Sequence, residues 1–206
     1  MGIKENIEDI RSRAGKALLL AVTKNVEIPQ ISEAIEAGVT DIGESYVQEA
    51  RSKIPILKSK FPKVRFHLIG HLQTNKAKTA LELFDVIQSV DSLHLAEEIS
   101  KRATKPVEVF IEVNTSGEKS KYGVAPEEAL DLLSRISKFP NLRITGLMTI
   151  GDGTRACFRK LKEIRDRVVI VGLKLSMGMS HDYALAIEEG SDIIRIGEGI
   201  FGPRRI

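Results

Sequence analysis

The sequence predicts an α/β fold, a single (β/α)8 barrel of the TIM type preceded by one extra helix. Three observations carry that prediction. Short β-rich apolar runs alternate with stretches of roughly ten to fifteen residues whose apolar positions recur three and four apart. The alternation repeats eight times within 206 residues, which suits a closed barrel. Runs such as Val107–Val113 are apolar with few breaks, as in a parallel strand covered on both faces. A doubly wound open sheet with extra strands is the alternative reading of the same alternation.

Each element has its own justification in the chain. Ile3–Ala14 reads as a lead-in helix. Ala17–Thr23 is strand one, and its helix runs from Pro29 to Ala37, with proline at the start and Gly38 after the end. "TDIGES" is strand two, followed by the helix "YVQEARSKIPIL". "RFHLIG" and "TNKAKTALEL" form the third pair. "DVIQSV" is strand four, with Asp91-Ser92 capping "LHLAEEISKRA". "VEVFIEVN" and "APEEALDLLSRIS" are the fifth pair, "RITGLMTI" and "ACFRKLKEIRDRV" the sixth. "LKLSMGM" is strand seven, with Ser180 capping "HDYALAIEEG". "DIIRIG" is strand eight, and "EGIFG" makes a final short turn. No Pro/Gly/Ser-rich linker interrupts the series, so residues 1–206 are read as one domain.

Composition narrows the function. A hydrophobic content of 42% supports a substantial core, and no window approaches the ~18 apolar residues of a membrane span. The N-terminus "MGIKENIEDIRSRAGK" is charged throughout and lacks the apolar centre of a secretory signal. Cys157 is alone, which excludes an internal disulfide framework and fits a reducing cytoplasm. A net charge of +3, with basic and acidic residues interspersed, argues against a nucleic-acid partner. The "GPRRI" end reads as a solvated tail.

Barrel enzymes and binders work at the C-terminal ends of their strands, so the residues where each apolar run stops are the ones to read. They are Lys24, Gly43-Glu44-Ser45, Gly70-His71, Ser89-Asp91, Asn114, Met148-Thr149, Ser176 to Ser180, and Arg195 to Glu198. A charged residue often merely caps a strand. At the mouth of strand one, however, a lysine carries its stem over the core and its amine into the cavity, a setting in which lysines form Schiff bases. The small-residue loops "SMGMS" and "IGEGIFG" follow strands seven and eight, where barrels commonly bind phosphate on free peptide N–H groups. Arg195 lies inside strand eight, a costly place unless it is paired or faces the cavity.

Amine, phosphate cradle and arginine together describe a pyridoxal 5′-phosphate site. Lys24 takes the aldehyde, Ser176 and Gly197-Glu198 take the phosphate, and Arg195 faces the pyridine nitrogen. An arginine there cannot protonate the ring, so the cofactor is a weaker electron sink than one held by aspartate. His71 is a candidate base or pocket donor, whereas His67 reads as a strand side chain. Met148 is either ring packing or core, and Tyr122 either closes over the mouth or lies in a surface loop. The histidines and the cysteine show no metal-ligand spacing. Neither a GxxxxGK[ST] loop nor a GxSxG elbow occurs.

The segments "LLLAVTKNV", "DIGESYVQEA", "FHLIGHLQTNK", "GLMTI" and "KLSMGMSHDYALAIEEGSDIIRIGEGIFG" resemble the YggS/PROSC family, the pyridoxal phosphate homeostasis proteins. The resemblance runs from about Leu18 to Gly202. It implies a barrel of the alanine racemase N-terminal type, with the cofactor on Lys24, phosphate contacts at Ser176, Gly197 and Glu198, and Arg195 beside the ring nitrogen. It also implies a role in vitamin B6 homeostasis as a carrier or buffer, with cofactor-dependent apoenzymes as possible recipients. Ser45 stands where the family often has Asn, and Glu198 where it often has Thr. A carboxylate repels phosphate, so Glu198 is expected to use its peptide N–H and turn its side chain away. The segment from Gly151 to Lys174 is short for the family.

The alternative to a carrier is an amino-acid racemase. Racemisation needs a base on each face of the substrate Cα, and in alanine racemases, which this barrel resembles, the second is a tyrosine from another domain supplied across a dimer interface. This sequence stops after the barrel, so that domain and its dimer interface are expected to be missing and the chain to be a monomer. Tyr46, Tyr122 and Tyr183 fall in predicted helices or loops without a clear placement for the task.

Overall fold

The computed structural model describes residues 2–203, and in it eight parallel strands close in sequence order into a barrel. They are β1 Leu18–Val22, β2 Asp41–Glu44, β3 Arg65–Leu68, β4 Val86–Val90, β5 Val107–Glu112, β6 Leu142–Met148, β7 Lys174–Ser176 and β8 Ile193–Ile196. The pairing of β1 with β8, Leu20 opposite Arg195 and Ala21 opposite Ile196, closes the ring and removes the open-sheet alternative. Met1 and the basic end at 204–206 lie outside the described residues.

The surrounding helices are α1 Ile3–Ala14, α2 Ile28–Glu36, α3 Val47–Lys60, α4 Ala77–Leu83, α5 Leu93–Arg102, α6 Ala129–Ile136, α7 Arg155–Asp166, α8 Tyr183–Glu188 and the single turn α9 Glu198–Phe201. Each turns one apolar stripe inward: α1 buries Ile7, Ile10 and Ala14, and α7 buries Phe158, Leu161 and Ile164. Among the described residues, no helix is long and apolar enough to cross a membrane. Ser92 caps α5 as expected, its hydroxyl accepting from the Leu95 N–H.

Two local readings are corrected. Ser180 does not cap the eighth helix, which starts at Tyr183 rather than His181. Strand β7 is only three residues long, and the chain leaves the ladder through Gly178, whose φ of +93° a side chain would strain. Asp182 then accepts from the Met179 N–H, while the Ser180 hydroxyl accepts from the Gly199 N–H at 3.1 Å. Helix α6 begins at Ala129, not Ala125, because the preceding residues form tight i→i−3 turns at Glu128 and Ala129.

Apolar side chains form two bodies. A large cluster fills the layer between strands and helices, and a small one, Leu20, Val86, Phe110, Met148 and Ile193, plugs the barrel interior. Met148 belongs to this plug and is fully buried in it, so it forms floor beneath the mouth.

Candidate functional site

Lys24 follows β1 in a turn at the C-terminal mouth, half-buried, with Nζ 3.1 Å from the Tyr46 hydroxyl and 4.7 Å from the centre of its ring. The turn is held from below. Buried Lys53 on α3 donates to the Thr23 carbonyl at 2.8 Å and pairs with Glu49 at 2.6 Å and Glu44 at 3.3 Å. Thr23 donates its hydroxyl to Glu44 at 2.7 Å, and Glu49 accepts the N–H of Asn25 at 2.6 Å. Asn25 itself takes a left-handed φ of +59°. Burial pushes the Glu44 carboxyl up, opposed by Thr23 and Lys53, so the cation is what keeps the cluster together.

On the adjacent strand, Arg195 is 3% exposed and projects into the barrel interior. Its Nη1 donates to Ser176 Oγ at 2.9 Å and its Nη2 to the Thr149 carbonyl at 2.7 Å. Burial pulls the guanidinium down to about 10, against the opposing fields of Glu112 and Asp182, so it stays charged at neutral pH. Ser176 is fully buried, and its hydroxyl donates to Gln88 Oε1 at 2.7 Å. That hydroxyl is therefore committed inside the barrel.

The opposite rim is acidic and aromatic. Val90 pairs with Ile111, which sets Asp91 and Glu112 next to each other at the ends of β4 and β5. Glu112 is 2% exposed, and its Oε2 has no hydrogen-bond partner. Burial first, then the charge of Asp91, drive its carboxyl up to about 8, with Arg195 pulling the other way. His71 Nδ1 lies 3.5 Å from Asp91 Oδ2, and its ring stacks on Tyr122 with centroids 3.8 Å apart. Tyr122 thus reaches from its loop to the rim of the mouth. A cleft of about 460 Å³ between Ser45, Tyr46, Gly70, His71, Lys76 and Tyr122 opens there. Ser45 is half-buried, and its chain crosses Gly70 so closely that a Cβ would sit 2.2 Å from the Ser45 oxygen.

Closure of the barrel sets Gly197 beside β1, where a Cβ would lie 3.3 Å from the Val22 oxygen. Glu198 begins α9, and its carboxylate lies 3.4 Å from His181 Nε2. The fold therefore gathers Lys24, Ser45, His71, Ser176, Arg195, Gly197 and Glu198 at one end of the barrel. Sequence reading missed Gln88, which holds Ser176, Lys53, which holds the Thr23 carbonyl before Lys24, and Glu112, whose field opposes the burial of Arg195; Thr149, read as a strand end, holds Arg195 through its carbonyl. Glu112 had one visible signal, a carboxylate interrupting an apolar strand. His67, read as an ordinary strand side chain, is buried and bonded to Asp41 and Gln88. Among the described residues, no group of three or more His, Cys, Asp and Glu side chains could hold a metal ion.

Comparison with known proteins adds to this geometry. The family described as alanine racemase, N-terminal domain, matches residues 2–205. A pyridoxal phosphate homeostasis protein of Aquifex aeolicus is 42% identical over 220 residues, covering 98% of this chain and 96% of that protein. One of Vibrio alginolyticus is 37% identical over 98% of this chain and 97% of its own length. Among solved structures, PipY of Synechococcus elongatus PCC7942 with PLP bound is 34% identical with a TM-score of 0.86, covering 97% of this chain and 100% of that one.

Proposed function

The chain belongs to the family of pyridoxal phosphate homeostasis proteins, and from that premise we propose that it holds pyridoxal 5′-phosphate reversibly on Lys24 as a carrier or buffer. When bound, this group supplies an aldehyde, a ring nitrogen that accepts a hydrogen bond, and an anionic phosphate. The residues present fit it. Lys24 offers a primary amine at the mouth, and Arg195, a donor-only side chain, is fixed on the strand hydrogen-bonded to β1. That juxtaposition of amine and buried guanidinium is the observation that carries the reading.

The phosphate falls to the peptide groups of Gly197 and Glu198, because the Ser176 hydroxyl already serves Gln88. Pairing of the Glu198 carboxylate with His181 supports a contact through its peptide alone. Ser45 and His71 line the adjoining cleft, and Met148 supports the site from beneath. An arginine at the ring leaves the nitrogen unprotonated, which suits storage better than carbanion chemistry.

The test is the absorbance spectrum of the chain given pyridoxal phosphate, before and after borohydride, with mass mapping of the reduced product. A visible band that collapses, with a pyridoxyl mass on Lys24, is expected. Retained colour in Lys24→Ala sinks the assignment. One observation favours a racemase instead: Tyr46 lies at hydrogen-bond distance from Lys24. Yet it touches the lysine amine itself, whereas racemisation needs bases on opposite faces of the Cα. Turnover of L-alanine to the D-enantiomer by the loaded chain overturns the carrier reading.

A further inference from the structure

Inside the barrel, below the mouth, five buried side chains form one unbroken line. Asp41 Oδ1 lies 2.8 Å from His67 Nε2, and His67 Nδ1 lies 2.9 Å from Gln88 Nε2. The line continues from Gln88 Oε1 to Ser176 Oγ at 2.7 Å and from Ser176 Oγ to Arg195 Nη1 at 2.9 Å. Asp41, His67, Gln88, Ser176 and Arg195 stand on β2, β3, β4, β7 and β8, and none is more than 5% exposed.

Every proton on this line can be assigned from its two ends. A guanidinium only donates, so Ser176 Oγ accepts from Arg195 and must hand its own hydrogen to Gln88. Gln88 therefore presents its carbonyl to Ser176 and its NH₂ to His67. That leaves His67 Nδ1 as an acceptor, so the ring hydrogen is on Nε2, where Asp41 accepts it. Asp41 Oδ2 accepts from the Thr40 hydroxyl at 2.7 Å, which holds the far end. Reversing any one link leaves two donors or two acceptors face to face in a dry interior, a costly arrangement.

We infer that Asp41, His67, Gln88 and Ser176 form a directional hydrogen-bond relay that positions Arg195, with Gln88 as its pivot. The Thr149 carbonyl fixes the second guanidinium nitrogen, so the arginine has one orientation rather than several. These residues are positioning groups and act on the cofactor only through Arg195. The inference rests on the reading that Arg195 faces the bound ring.

Its first test needs no cofactor. In histidine-¹⁵N-labelled chain, His67 should show a bare Nδ1 and a protonated Nε2. Gln88→Glu removes the donor facing Nδ1 and should move a proton onto that nitrogen. Protonated Nδ1 in the unaltered chain overturns the relay. The second test titrates pyridoxal phosphate. Ser176→Ala and Gln88→Leu should each weaken binding roughly tenfold and shift the bound absorbance maximum, while Ser176→Thr restores both. The double variant should be no weaker than the worse single one, since both cut the same line. Unchanged affinity and spectrum in both single variants, or additive losses, overturn the positioning role. Should borohydride fix no cofactor on Lys24 of the unaltered chain, the carrier reading fails, while the imidazole spectrum still decides the relay.

Discussion

Replacing Glu112 by glutamine should make the protein more stable in alkali and leave it nearly unchanged in mild acid. The folded chain holds this carboxyl at about 8 instead of the ordinary 4.5. Between those values the native state binds a proton that the unfolded state has released. Stability therefore falls as pH rises through that window, by about 1.4 kcal/mol for each pH unit. Once Glu112 ionises above pH 8, the accumulated penalty approaches roughly 5 kcal/mol, a large share of a typical domain's stability. Below pH 5 the protonated acid and the amide have the same shape and no charge, so the two proteins should unfold together. Urea unfolding of the cofactor-free chain from pH 5 to 9 measures this directly, because the difference between the curves isolates one carboxyl from all others. The variant's advantage should open steadily above pH 5 and level off beyond pH 8. Parallel curves across the range would refute the reasoning, since they would mean that Glu112 is ionised or solvated in the folded chain. Asp91→Asn provides an internal check: removing the neighbouring charge should lower the folded-state value of Glu112, so the effect of the glutamine substitution should be smaller and level off at lower pH.

Three further outcomes follow from the same site. Lys53→Met should cost about 3 kcal/mol by urea unfolding, because it leaves Glu44 and the Thr23 carbonyl buried without their cation. Gly70→Ala drives a methyl into the Ser45 oxygen and should destabilise by roughly 2 kcal/mol, with weaker cofactor uptake because Ser45 and Tyr46 must shift; an unaltered unfolding midpoint would contradict the close approach. Arg195→Glu should let the ring nitrogen of bound pyridoxal phosphate protonate and change its absorbance, and an unchanged spectrum and affinity would remove Arg195 from the site.

Much of the architecture was legible because its causes are local. A strand covered on both faces must be apolar along its length, and a helix on its outside must repeat at three and four residues, so the eight units can be counted along the chain. The capping hydroxyl of Ser92 could be read for the same reason, since its partner is three residues away. Ser180 misled because its partner is Gly199, brought near only when β8 docks beside β7. Lys24 and Arg195 stood out as cations at or within apolar strands, but the groups that hold them did not. Lys53 lies in an ordinary-looking helix, and Gln88 is one of two adjacent polar residues in its strand, with hydrogen-bond partners 21 and 88 positions away.

By itself, then, the sequence determined the alternation of elements, the end of the barrel at which to look, and the two cations worth examining. These follow from side-chain chemistry and spacings of a few residues. Only the tertiary structure decided that the sheet closes β1 on β8, that the Ser176 hydroxyl points inward, and that Glu112 is buried beside Asp91. Those outcomes depend on which strand ends meet across the barrel, and inside a dry core each such meeting fixes where the protons and charges must go.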